Sequence, residues 1–259
     1  MDLGIEGKRA LVCAASKGLG RACATHLARE GAIVTITART EETLQQTAQA
    51  IRDETGGAEV TIAVGDMATE EGRSNALSVC PAPDILVCNS GGPPPGDFRK
   101  FNRDDWLGAF DGNMFSAIEL IRQTVDGMIK RKYGRIVNIT SAAVKNPIPA
   151  LALSNGMRAG LTGFVAGLSR ETVRHNVTIN NLLPGPFDTD RLRGGFLART
   201  QPGQDINEVA AAAAAANPAG RFGDPDEFGA ACAFLCSRYA GFITGQNLVM
   251  DGGDFRGTL

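Results

Sequence analysis

The chain reads as a three-layer, doubly wound α/β fold around a mainly parallel seven-stranded sheet. Two observations predict it. Short apolar, β-rich runs alternate with longer helical stretches from end to end. The runs are continuously hydrophobic, which marks strands covered on both faces by helices. The handedness of β-α-β crossovers then leaves the doubly wound topology as the simple solution.

In chain order, RALVCA (9–14) predicts the first strand, followed by a helix over 18–30. AIVTITA (32–38) precedes a polar helix from 41 to about 55, and EVTIAV (59–64) supplies the third strand. A short helix leads to DILVCN (84–89), and a long helix over about 104–132 leads to RIVNIT (135–140). A helix over 151–175 precedes VTINNLL (177–183), and a last helix over 225–237 feeds NLVMD (247–251). Two segments break the rhythm. GGPPPG (91–96) suits neither helix nor central strand and predicts a rigid loop. Residues 191–219, with an alanine run at 210–216, form an insertion that is either a mobile lid or a docked surface helix. No repeat or linker divides residues 1–259, so a single domain is expected.

Composition narrows the partners. A formal net charge of -2 gives no basic field to attract nucleic acid or acidic lipid. No apolar run is long enough for a bilayer, and MDLGIEGKRA lacks a signal-peptide layout, so a cytoplasmic protein is expected. The six cysteines sit mostly in apolar stretches, as small hydrophobes do, and predict no metal site.

The first strand-to-helix turn, AASKGLG (14–20), carries the clearest chemistry. Small residues there let backbone approach a pyrophosphate, which then rests on the helix N-terminus. The turn residues Ala15, Ser16, Lys17, Gly18, Leu19 and Gly20 are therefore candidate cofactor contacts, with Ala14 a near-fit to a glycine position. Lys17 lies within the turn. Arg39 ends the second strand, where an NAD-binding protein would commonly carry an acid for the ribose. A cationic pair suits a 2′-phosphate and predicts NADP(H). Asp66, with Met67 after it, and Asn89 lie at the carboxyl ends of strands, where polar residues face the ligand crevice.

These residues resemble the short-chain dehydrogenase/reductase family, a Rossmann-like fold, and its 3-oxoacyl-acyl-carrier-protein reductase branch in particular. The family's T-G-x-x-x-G-x-G appears as Cys13-Ala14-x-x-x-Gly18-x-Gly20, so its first two positions depart. Its N-A-G appears as Asn89-Ser90-Gly91. Its P-G-x-x-x-T is intact as Pro184, Gly185 and Thr189, which implies nicotinamide carboxamide binding. FITGQNLVMDGG (242–253) is similar to the family's seventh-strand signature. The resemblance implies a small-molecule carbonyl or alcohol substrate, an acyl-thioester among them, and a homotetramer built on the fourth and fifth helices.

It also implies catalytic positions, and two of them depart. The family's asparagine falls on Asn113 and its serine on Ser141. Its tyrosine and lysine positions hold Ser154 and Arg158, in LSNGMRAGLTGF. The only tyrosines are Tyr133 and Tyr239, outside the pocket segments. The i,i+4 spacing keeps Ser154 and Arg158 neighbours on one helix face. Arginine preserves the charge and a ribose anchor but not an exchangeable proton. A water held between Ser154 and Arg158 is one way to replace the donor. Lys145 is a second candidate donor or a contact for an anionic substrate, while His26 and His175 fall away from the pocket. Three functions follow: an NADP(H)-dependent oxidoreductase with an atypical site, a non-catalytic NADP(H)-binding sensor or partner subunit, or proton shifts without net redox in the same pocket.

Overall fold

The computed structural model describes residues 1–197 and 204–258. Its sheet has seven strands, all parallel, in the order β3-β2-β1-β4-β5-β6-β7. The strands are β1 (Arg9–Val12), β2 (Ile33–Ala38), β3 (Val60–Val64), β4 (Ile85–Cys88), β5 (Gly134–Ile139), β6 (Val177–Pro184) and β7 (Asn247–Met250). The expected mainly parallel sheet is thus wholly parallel.

Alternate side chains of each central strand feed two separate cores, as the two-residue repeat of a strand requires. In β1, Ala10 and Val12 join one cluster while Leu11 and Cys13 join the other. In β4, Ile85 and Val87 divide from Leu86 and Cys88 in the same way. The first cluster is covered by α1 (Gly18–Arg29), α2 (Glu41–Glu54) and α9 (Pro225–Cys236). The second is covered by α3 (Glu70–Val79), α5 (Ser116–Arg131) and α6 (Ala152–Thr172). All six cysteines are buried free thiols. Cys23, Cys232 and Cys236 meet where α1 packs on α9.

The predicted helix over 104–132 is not one regular helix. It runs as α4 (Arg103–Phe110), a π turn over Asp111–Phe115, and α5. Asn102 starts it with a reciprocal cap on Asp105. A π turn widens the coil by one residue, and such turns concentrate at functional sites. This one contains Asn113.

The loop after β4 is tied down, since the Gly96 N–H donates to the Ala150 carbonyl at 2.8 Å. The insertion contains α7 (Asp190–Leu197) and α8 (Ile206–Ala216), which pack on each other and bury no residue fully. The part of the expected lid at 198–203 lies outside the described residues. No helix among the described residues is long and apolar enough to cross a membrane.

Candidate active site

The strand order reverses between β1 and β4, and the carboxyl ends of the strands open a crevice there. The turn from β1 into α1 forms one wall. Cys13 N–H donates to Val87 O at 2.9 Å and Ala15 N–H to Thr37 O at 2.9 Å, so the turn is pinned between β4 and β2. Thr47 Oγ1 holds the Ser16 carbonyl at 2.7 Å from α2. Gly20 has no room for a side chain, because a Cβ would run into the Ala14 carbonyl and the Asn89 amide. Asn89 Nδ2 donates to that same carbonyl at 3.2 Å. Gly18 adopts φ +58° and Ala14 φ 46°. Ala14 thus holds a left-handed backbone that favours glycine, at a steric cost.

Lys17, the residue before α1, and Arg39, after β2, are both exposed. Neither side chain has a hydrogen-bond or ion-pair partner among the described residues. Asp66 is exposed and accepts from Ala68 N–H at 3.0 Å, while Met67 is buried beneath the crevice. A turn that backbone can approach closely, with free cations at its mouth, fits a dinucleotide bearing an extra phosphate.

On the other side, Gly185 N–H donates to Met250 O at 2.8 Å, and a Cβ there would strike Asp251. Pro184 closes β6, and Thr189 caps α7, its Oγ1 accepting from Leu192 N–H at 3.3 Å. The Thr189 side chain lies against Gly18. The two family segments therefore face each other across the crevice, with Asn89, Ser90 and Gly91 between.

The catalytic candidates meet one strand further on. Arg158 is 7% exposed. Its Nε donates to Ser154 Oγ at 3.2 Å, one Nη to the Ile139 carbonyl at 2.7 Å and the other to Asn113 Oδ1 at 3.2 Å. Ser90 Oγ donates to the same Asn113 oxygen at 3.2 Å. Burial pushes the Arg158 guanidinium down to about 10, and the charge of Arg191 pushes in the same direction. A cavity of about 10 Å³, lined by Ser90, Asn113, Ser116 and Arg158 among others, lies beneath this cluster. It has room for about one water.

Ser141 caps a 3₁₀ turn (Ala142–Val144), its Oγ accepting from Ala143 N–H at 3.1 Å. It makes no hydrogen bond to Ser154, so hydrogen bonds group Asn113, Ser154, Arg158 and Ser90, while Ser141 follows the end of β5 outside that network. The direct Arg158–Ser154 bond corrects one expectation: no water separates those two side chains. Lys145 lies over the Phe255 ring, with Nζ at 5.6 Å from its centre. Tyr133 donates to the Cys236 carbonyl at 3.1 Å and Tyr239 contacts Arg238, so both tyrosines are occupied elsewhere. His26 joins α1 to α9 through Asp226 at 2.8 Å.

One residue escaped sequence reasoning. Arg191, in the first turn of α7, lays its guanidinium on Gly92, where a Cβ would collide with it. Glycine after the fourth strand and a cation in an insertion give no joint signal until the fold brings them together.

The fold and the glycine-lined crevice define a dinucleotide-dependent oxidoreductase, and comparison with known proteins agrees. A family profile described as enoyl-(acyl carrier protein) reductase matches residues 13–254. The 3-oxoacyl-[acyl-carrier-protein] reductase of Vibrio harveyi is 32% identical over 255 residues, covering 97% of this chain and 98% of that protein. The corresponding Escherichia coli (strain K12) protein is 34% identical over 254 residues, with 97% and 98% covered. The L-sorbose reductase of Gluconobacter frateurii, solved with NADPH and L-sorbose, superposes with a TM-score of 0.94 at 28% identity, covering 99% of this chain and 100% of that one. The chain belongs to the short-chain dehydrogenase/reductase family of NAD(P)-dependent oxidoreductases.

Proposed function

We propose that the chain is an NADP(H)-dependent carbonyl reductase in which Ser154 and Arg158 stand in for the tyrosine and lysine of its relatives. Arg158 bonded directly to Ser154 and Asn113 is the observation that carries this reading. NADPH, when bound, supplies a hydride to the carbonyl carbon. The turn from Ala15 to Gly20 receives its pyrophosphate, Lys17 and Arg39 receive its 2′-phosphate, and Pro184, Gly185 and Thr189 flank the nicotinamide.

The hydroxyls are each left able to donate. Ser154 Oγ accepts from Arg158 and Ser141 Oγ accepts from Ala143, so each O–H is left free to donate. Two donors backed by a buried cation stabilise negative charge growing on a carbonyl oxygen, where the low dielectric strengthens their effect. The proton that completes the alcohol then comes from solvent. Oxyanion stabilisation of this kind is worth about 10²–10³ in rate per donor, comparable with the share of a missing general acid. The neutral 3-oxoacyl thioesters of the relatives and simple ketones are the first substrates to try.

Titration of NADPH and NADH by fluorescence, followed by NADPH oxidation against ketones and 3-oxoacyl thioesters, tests the proposal. NADPH should bind at least about 10-fold more tightly than NADH, and Lys17→Ala with Arg39→Ala should erase that margin. Tight binding without turnover on any carbonyl would instead select the cofactor-holding sensor, a reading favoured by the absence of a ready proton donor in the cluster. Restored turnover in a Ser154→Tyr, Arg158→Lys double variant would show that only the acid was missing.

A further inference from the structure

The cluster carries more positive charge than hydride transfer to a neutral ketone needs. Arg158 is buried, yet its partners are a hydroxyl, an amide oxygen and a backbone carbonyl. None is charged. A second guanidinium, that of Arg191, reaches the same region from α7 and rests on Gly92, two residues beyond Ser90, which shares Asn113 with Arg158. Neither arginine has a carboxylate partner among the described residues. Of the nearby acids, Asp188 holds Arg193 in a two-pronged pair and Asp251 accepts from the N–H groups of Gly253 and Phe255, while Asp190, next to Arg191 in the chain, is exposed and forms no ion pair with it. Residues 198–203 (ARTQPG) contain no acid.

Burying a cation against neutral partners, and then bringing a like charge beside it, is unfavourable unless an anion completes the set. The pyrophosphate wall is not that place for Arg158, since its acceptors lie on β5 and the π turn. On Arg158 the second N–H of each Nη remains available. Arg191 is exposed, with its guanidinium on Gly92 at the edge of the crevice.

We propose that the carbonyl substrate bears a carboxylate one or two atoms from the reacting carbon, as in a 2-oxo or 3-oxo acid, and that Arg158 and Arg191 together bind it. This rests on the reductase reading above. In such a compound the carboxylate and the carbonyl oxygen are neighbours, so one cationic locus orients the substrate and stabilises the charge that develops during reduction. Arg191 is then a specificity-determining residue supplied by the insertion.

The test uses the NADPH-loaded protein with 2-oxobutyrate and acetoacetate, their methyl esters, and the N-acetylcysteamine thioester of acetoacetic acid. Oxidation of NADPH is followed by the loss of the reduced ring's absorbance. The free acids should exceed the neutral compounds by about 100-fold in kcat/KM, the worth of a hydrogen-bonded charge pair, and Arg191→Gln should remove most of that margin. Equal rates for acid and ester would overturn the anion site while leaving the reductase reading intact. So would a variant that keeps the margin but loses NADPH affinity, because Arg191 would then serve the cofactor. If no compound is reduced, calorimetry with malonate on the NADPH-loaded protein decides. Malonate binding lost in Arg191→Gln would uphold the anion site and overturn the reductase reading, whereas absence of both turnover and binding would overturn both.

Discussion

Arg135 and Arg158 are both buried and both meet β5, one at its amino end and the other through Ile139 at its carboxyl end. Arg135 is 1% exposed and donates to the Ser237, Gly134 and Asn176 carbonyls and to Asn176 Oδ1. It also lies over the Tyr133 ring at 4.7 Å. Nearby, Asp84 joins Arg131 at 3.0 Å and Arg9 at 3.6 Å. Polar groups at this end satisfy one another. At the opposite end Arg158 makes fewer hydrogen bonds, faces another cation and bonds to the π turn, and the turn after β1 holds an alanine with positive φ. Burial lowers the pKa of both arginines, so depth alone does not separate them. Neither has a carboxylate partner among the described residues; the like charge of Arg191 beside Arg158, and the N–H left over on both of its Nη atoms, separate them. Local costs gathered at one end of a sheet mark the end where a ligand completes the structure.

The sharpest way to break this comparison is to replace each arginine with methionine. Arg158→Met should reduce kcat/KM by about 10²–10³-fold, since it removes the charge behind Ser154. Its stability should change by less than about 1 kcal/mol, because relief of a desolvated charge offsets the lost hydrogen bonds. Arg135→Met should do the reverse. It leaves several buried carbonyls unpaired and should cost about 3 kcal/mol, with turnover of the remaining folded protein unchanged. For a chain of this size that is roughly a 6–12 °C fall in Tm. Similar Tm losses in the two variants would erase the distinction between the two ends.

Ala14 offers a smaller test on the same crevice. Glycine is free of the penalty that an L side chain meets at positive φ, though it has more freedom to lose on folding. Ala14→Gly should therefore raise stability by about 0.5–1 kcal/mol, or roughly 1–4 °C in Tm. NADPH affinity should hold or improve, as backbone geometry at the turn is retained. A lower Tm would mean that the alanine methyl contributes packing that outweighs its strain.

Much of this was readable from local spacing, and the unreadable part was long-range. Continuous apolar runs revealed the strands because each is covered twice, as the split of Ala10 and Val12 from Leu11 and Cys13 makes plain. Gly18, Gly20 and Lys17 lie within one turn, and Ser154 and Arg158 within one helical repeat, so their neighbourhood follows from chain geometry. Spacing did not separate Arg135 from Arg158, because the difference lies in carbonyls from residues 176 and 237 that meet only the first. Nor did it join Arg191 to Gly92, or place a π turn at Asn113. Those depend on packing between segments far apart in sequence.

The smallest effect concerns an ion pair belonging to neither end. At the start of α9, Arg221 grips Glu227 at 2.7 and 2.8 Å, and Asp224 N–H donates to the same carboxylate at 2.9 Å. Arg221 first, then the Asp224 N–H, hold the Glu227 carboxyl down at about 2, from an ordinary 4.5. A depressed carboxylate stabilises the fold above its unfolded pKa, and the gain fades as pH falls through the folded one. The contribution of Glu227 is therefore complete above about pH 4.5 and lost near pH 2. Because the pair is exposed, water and salt screen it and the effect is slight. Thermal melts of Glu227→Gln and the parent should differ most above pH 4.5 at low salt and converge toward pH 2. Convergence must come with no change in NADPH affinity, since an exposed pair at the start of α9 touches neither arginine of the comparison; a shift in cofactor binding would tie this helix end to the crevice after all.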